Sequence, residues 1–137
     1  MSEQVPAVVG IAALTIDCAD PPELAAWWSR LLGGEVEVDE DGDATLHTLL
    51  TPDGLNIDFV AVPETKTVKN RLHLDLRSTD LEEATRQAEA LGATRADDIY
   101  DGGRWQVMRD PEGNEFCFLR PRQGSPRSAA TARATPA

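Results

Sequence analysis

Two stretches of the chain repeat one order of hydrophobic and polar positions about 59 residues apart. Ala12 to Cys18 alternates apolar with small or polar residues, and Arg71 to Arg77 alternates more strictly. A period of two marks a strand with one buried face, so each stretch predicts a strand. Leu14 lines up with Leu72, Thr15 with His73 and Asp17 with Asp75. A helix start follows each strand. Asp20-Pro21-Pro22-Glu23 and Asp80-Leu81-Glu82-Glu83 set a capping acid before a first turn whose N–H groups have no partner within the helix, which is also why proline is tolerated there. Leu24, Trp27, Trp28, Leu31 and Leu32 then recur at helical spacing, as do Leu81, Ala84, Ala88 and Leu91. Both helices are expected to stop at glycine, Gly33 and Gly92. Trp27 and Trp28 are adjacent and cannot share one face fully, so one is expected to anchor the core while the other could reach a cavity or a subunit contact, with core packing the favoured reading for either.

Three short strand-like runs follow each helix. They span Glu35 to Val38, Ala44 to Leu50 and Leu55 to Val62 in the first copy, and Thr94 to Ile99, Arg104 to Arg109 and Glu115 to Leu119 in the second. Turn residues separate them at Asp39 to Asp43, Pro52-Asp53-Gly54, Asp101-Gly102-Gly103 and Asp110-Pro111-Glu112-Gly113-Asn114. The pattern therefore predicts an α+β fold of two tandem β-α-β-β-β modules, at about residues 10–62 and 70–121, within one domain of residues 1–122. The link between modules is expected at 63–70. Residues 123–137 lack apolar periodicity and are expected to form a disordered tail.

Alternation also divides the strand residues between two faces. Leu14, Ile16, Ile57, Phe59, Leu72, Leu74, Leu76, Phe116 and Phe118 belong to an apolar face suited to packing under the helices. Thr15, Asp17, Asn56, Asp58, His73, Asp75, Glu115 and Cys117 share the opposite, polar face. That second face lines a cleft if the two sheets curve toward one another. Trp105, Tyr100, Met108 and Phe59 are candidates for its apolar walls, with core packing the stronger expectation for Phe59 and Met108. His47 has no counterpart in the repeat and is read as structural or exposed.

Composition narrows the partners. The net charge of −11 repels phosphate backbones, so nucleic acid is excluded as a partner. No apolar run is long enough to cross a membrane, and residues 1–9 carry no basic segment leading an apolar one, so the expected location is cytoplasmic. Cys18 and Cys117 are too few for a disulfide framework and form no Cys-x-x-Cys pair. No phosphate-binding glycine motif and no Ser-His-Asp order is present.

Asp110-Pro111-Glu112-Gly113-Asn114-Glu115-Phe116-Cys117-Phe118 and Lys69-Asn70-Arg71-Leu72-His73-Leu74-Asp75-Leu76 resemble the glyoxalase, bleomycin-resistance and dioxygenase (vicinal oxygen chelate) superfamily, in its glyoxalase-like branch. The resemblance runs from about Ala12 to Pro121. It implies paired modules forming a cupped mixed sheet, a small-molecule ligand in its cleft, and a homodimer. Members include metal-dependent isomerases, lyases and dioxygenases, and proteins that sequester antibiotics. The metal ligands of such enzymes fall here on Thr15, Asp58, His73 and Cys117.

Two of those four positions suit a divalent metal: His73 offers an imidazole and Asp58 a carboxylate. Thr15 is a poor ligand, and Cys117 stands where the family pattern ends in glutamate. Glu115 lies on the same face as Cys117 and is the candidate substitute carboxylate. The resulting expectation is a glyoxalase-like protein that binds an organic metabolite or antibiotic and has a degenerate metal site. The alternative is a lyase or isomerase dependent on one divalent ion (Zn, Ni, Mn or Fe), with His73 and Asp58 holding the ion. His73 and Glu115 are the candidate catalytic groups. Thr15, Asp17, Asn56, Asp75, Trp105 and Cys117 are the candidate ligand-binding residues in either case.

Overall fold

A computed structural model describes residues 5–38 and 46–122. The expected turn at 39–43, the first two residues of the strand expected from Ala44, and the tail at 123–137 lie outside the described residues. The chain divides into two compact units, residues 1–65 and 66–137.

Unit one runs β1 (Leu14–Cys18), α1 (Pro21–Leu32), β2 (Glu35–Val38), β3 (Leu46–Leu50) and β4 (Asn56–Ala61). Unit two runs β5 (Asp75–Arg77), α2 (Leu81–Ala90), β6 (Thr94–Arg95), β7 (Trp105–Arg109) and β8 (Glu115–Leu119). Each builds a mixed four-stranded sheet, ordered β1-β4-β3-β2 in the first and β5-β8-β7-β6 in the second. The opening strand lies parallel to the last one and the remaining pairs are antiparallel. The fold is α+β, made of two β-α-β-β-β modules.

Both helix starts follow the capping logic. Asp20 accepts a hydrogen bond from the Glu23 N–H at 3.2 Å and Asp80 one from the Glu83 N–H at 3.0 Å. α1 ends at Gly33, where φ is +82°, and a Cβ on the next residue, Gly34, would run into the Leu50 carbonyl. The first chain reversal thus needs glycine for space as well as conformation.

The helices cover their sheets differently. α1 packs on β2, β3 and β4 and buries Leu24, Ala25, Trp27 and Trp28. Both tryptophans are 1% exposed and meet edge to face, with ring centroids 5.2 Å apart. Core packing, the favoured reading for either, thus holds for both, and the outward alternative falls because the buried stripe of α1 is wide enough to take adjacent residues. α2 packs on β6, β7 and β8 through smaller groups, Leu81, Thr85 and Ala88.

Several boundaries also differ from the sequence reading. β5 begins at Asp75, four residues later than expected, and Leu72 is 87% exposed instead of joining the core. β6 ends at Arg95 because residues 97–99 turn, with the Ile99 N–H donating to the Ala96 carbonyl at 3.0 Å. Phe59 and Met108 are fully buried, as core residues. His47 is buried in β3, and its Nδ1 has no hydrogen-bond partner among the described residues.

Candidate functional site

The turn before β8 sets the candidate site. Asp110 accepts hydrogen bonds from the N–H groups of Glu112 and Asn114, both at 2.9 Å, and from the Asn114 side chain. Gly113, at φ +88°, returns its N–H to the Asp110 carbonyl at 2.8 Å. An aspartate that ties two backbone donors and an asparagine makes a tight, self-satisfied loop, which fixes where β8 starts. From there Glu115 and Cys117 face one way and Phe116 and Phe118 the other.

β8 then meets its parallel neighbour in a definite register, with Asp75 opposite Cys117. In unit one, Thr15 stands opposite Asp58 in the matching strands. The sequence repeat aligned Thr15 with His73, yet beside the last strand its place is taken by Asp75. A shift of two residues leaves every side chain on the same face, so the face assignment survives while the immediate neighbour changes. His73 precedes β5 and places its Nε2 3.4 Å from the Asp75 carboxylate. His73, Asp75 and Cys117 each offer a ligand atom within 4.8 Å of the others.

These residues border an open pocket of about 470 Å³ in unit two. Its apolar wall is formed by Ile99, Tyr100, Trp105, Val107 and Leu119. Tyr100 and Trp105 stack with centroids 3.9 Å apart and planes 8° from parallel. Lys69, His73, Asp75, Glu115 and Cys117 supply the polar groups. A mostly apolar hollow with a few convergent polar atoms is the usual form of a site for an organic molecule.

The electrostatics separate the two β8 residues. Burial first, and the neighbouring Asp75 carboxylate second, push the Cys117 thiol up to about 11, against an opposing influence from Lys69. Cys117 therefore carries its proton at neutral pH and is a poor nucleophile on its own. Burial also works against ionisation of Glu115, but the Asn70 N–H at 2.8 Å and the Lys66 ammonium at 3.0 Å outweigh it, leaving its carboxyl below the ordinary range. Arg109 lies 3.6 Å away on the other side and pairs with Asp98 at 2.8 Å. Glu115 thus pins residues 66–70 against β8 while lining the pocket.

The structure brings together His73, Asp75, Glu115, Cys117 and Trp105 around this pocket. Thr15, Asp17, Asn56 and Asp58 belong to the polar face of unit one, where the Thr48 hydroxyl donates to the Asp58 carboxylate at 2.6 Å. Lys66 and Lys69 fall in the segment expected as the link between modules, and the sequence cue to their role is their position shortly before His73.

At the positions implied by the family pattern, unit one offers a hydroxyl and a carboxylate that accepts from Thr48, and unit two an imidazole and, in place of the expected carboxylate, a thiol. A thiol at residue 117 does not fit a hard, oxygen-seeking ion. His73, Asp75 and Cys117 as a trio offer nitrogen, oxygen and sulfur, donors that fit a borderline ion such as zinc.

Comparison with known proteins places this geometry. Residues 13–119 match the family model described as a glyoxalase-like domain. The chain is similar in structure to FosX, the genomically encoded fosfomycin resistance protein of Listeria monocytogenes, at 18% identity, covering 89% of this chain and 97% of that one with a TM-score of 0.66. A FosX variant complexed with Mn(II) and dihydroxypropylphosphonic acid aligns at 15% identity, over 84% and 92% of the two chains, with a TM-score of 0.65. A glyoxalase/bleomycin resistance protein/dioxygenase family enzyme from Burkholderia phytofirmans aligns at 19% identity over 81% and 98%, with a TM-score of 0.64. At such identities the likeness shows the fold alone. No curated protein matches the sequence.

Proposed function

The chain belongs to the glyoxalase-like domain family, and from that premise we propose that it binds an organic small molecule, a metabolite or an antibiotic, in the pocket of its second unit. Relative to the family ligand pattern its metal site is degenerate. The observation that carries this reading is the pocket of about 470 Å³, walled by the Tyr100–Trp105 stack and floored by the half-exposed His73 and Asp75 and the buried Cys117. Aromatic faces supply contact area, and the imidazole, carboxylate and Lys69 ammonium supply orientation.

A ligand that binds only the native state raises the melting temperature by mass action. Screening metabolites and antibiotics by thermal shift, on the native protein and on Trp105→Ala, tests the reading. The expected result is a compound that shifts the native protein and loses that shift in Trp105→Ala. Metal-dependent turnover of a carbonyl substrate, with no compound producing a shift, contradicts it.

The second reading is a divalent-metal-dependent lyase or isomerase. The proximity of His73 to Asp75 and Cys117 favours it, with His73 among the ligands and Glu115 left to move the proton. Hydrogen bonds from the Asn70 N–H and Lys66 stabilise the charged form of Glu115 and so weaken it as a base. Manganese does not carry over from the FosX complex, since a thiol replaces the oxygen donor expected at residue 117.

The same proposal takes residues 1–122 as the working domain, a homodimer as the assembly and the cytoplasm as the location. None of the described helices is long and apolar enough to cross a membrane. Because both α1 tryptophans are buried, a two-fold contact would have to use other surface, and light scattering decides the assembly.

A further inference from the structure

The geometry points to a borderline divalent metal, zinc or cobalt by class, held by His73, Asp75 and Cys117 entirely within the second unit. This rests on the divalent-metal reading above and deepens it by naming the ligand set and the ion class, while the binding of an organic ligand is a separate matter. Three observations carry it. First, the donor atoms of these side chains lie within 4.8 Å of one another, with His73 Nε2 and Asp75 Oδ1 at 3.4 Å. Second, two of the three are fixed by sheet register: Asp75 and Cys117 are direct partners across the parallel β5–β8 pair, so their side chains leave the sheet side by side. Third, the same three residues border the open pocket, which leaves room for a further donor on the ion.

The chemistry selects the ion. Sulfur and imidazole donors favour zinc, cobalt and their neighbours over magnesium or manganese, and three protein ligands with one open position are the arrangement of a zinc site able to take water or substrate. Binding proceeds with one proton balance: the Cys117 S–H bond breaks as the metal–sulfur bond forms, and that proton passes to solvent. The thiolate and the Asp75 carboxylate then bring two negative charges to the ion. They offset the unfavourable Lys69 ammonium that lines the same pocket, and Lys69 in turn suits an anionic fourth ligand. Glu115 is not part of the set, because Lys66, Arg109 and the Asn70 N–H already engage it.

Cobalt(II) titration of chelator-treated full-length protein tests the assignment, since a thiolate bonded to cobalt absorbs in the near ultraviolet and the readout needs no enzymatic activity. The expected result is a near-ultraviolet band that saturates at about one equivalent and collapses when zinc is added. It should persist in Cys18→Ser and vanish in Cys117→Ser. Asp75→Asn should weaken binding roughly ten-fold or more, at least the loss that follows removal of a mere outer-shell partner of a metal ligand. Circular dichroism and melting of each metal-free variant confirm that it folds. Two results would overturn the assignment: no band in the native protein at saturating cobalt, or a band that survives Cys117→Ser and disappears in Cys18→Ser. Thermal shifts by organic compounds on the chelator-treated protein test the pocket reading separately, so failure of one leaves the other measurable.

Discussion

Across the middle of the first sheet one row of neighbours reads Thr48, Asp58, Thr15, and across the second the matching row reads Val107, Cys117, Asp75. The strand order and pairing directions are the same. In the first row a central carboxylate is satisfied from its flank by a threonine hydroxyl. In the second a central thiol lies against apolar Val107, with the carboxylate displaced to the exposed side of the pair. A single module plan thus carries a self-contained polar row in one copy and, in the other, a buried thiol and an exposed carboxylate set beside an aromatic-walled pocket. The two copies differ at three residues in a row and in the wall beside them, while the module plan stays the same.

The helices give the largest test of this contrast. Trp28→Ala in α1 should cost about 3–5 kcal/mol, the usual range for deleting a buried tryptophan, while Leu81→Ala in α2 should fall near the low end of the range for a buried leucine, about 2 kcal/mol. Urea denaturation measures both. A larger loss from Leu81→Ala would mean that the second unit, despite its smaller helix side chains, carries the tighter core.

Glu115 sharpens the comparison through pH. Its counterpart 59 residues earlier is Asn56, which has no charge to titrate. Because the Glu115 carboxyl lies below its ordinary value, its contribution is present above the unfolded pKa and is lost as pH falls through the folded one. Glu115→Gln should therefore cost about 1–3 kcal/mol at neutral pH and flatten the acid side of the stability curve. Melting temperatures from neutral to acidic pH read this directly. Parallel curves for the two proteins would show that Lys66, Arg109 and Asn70 do not hold this carboxylate.

Cys117 should stay slow toward iodoacetamide. In a Cys18→Ser background the alkylation rate should keep rising, about ten-fold per pH unit, past the point near pH 8.5 where an ordinary thiol levels off. That follows from burial and Asp75 pushing the thiol up to about 11. A plateau near pH 8.5 would show an exposed, unperturbed thiol. The smallest effect belongs to Thr48→Val, which gives the first row the apolar flank of the second. It should cost about 1 kcal/mol by removing the donor to Asp58, and chemical denaturation would detect it.

Much of this arrangement was legible in the sequence. The capping aspartates, the glycine stops and the two alternating strands announced the modules, because each signal is local and repeated. The Asp110 to Asn114 turn announced the start of β8 for the same reason. What escaped was tertiary. Leu72 continues a perfect alternation yet stays exposed, since the parallel pairing begins only at Asp75. Alignment of the repeats named His73 as the neighbour of residue 117, whereas strand register gives that place to Asp75. Lys66 and Lys69 became site residues only once Glu115 drew the preceding segment onto β8.

The central claim, that the second unit holds the small-molecule site, is tested most directly by two-dimensional amide and indole NMR of the labelled protein during titration with a compound selected by thermal shift. The account predicts chemical-shift changes concentrated on the Trp105 indole N–H and the backbone of Tyr100, His73, Asp75 and Cys117. Changes confined to residues of the first unit, such as Thr15, Thr48 and Asp58, with the Trp105 indole unmoved, would contradict it.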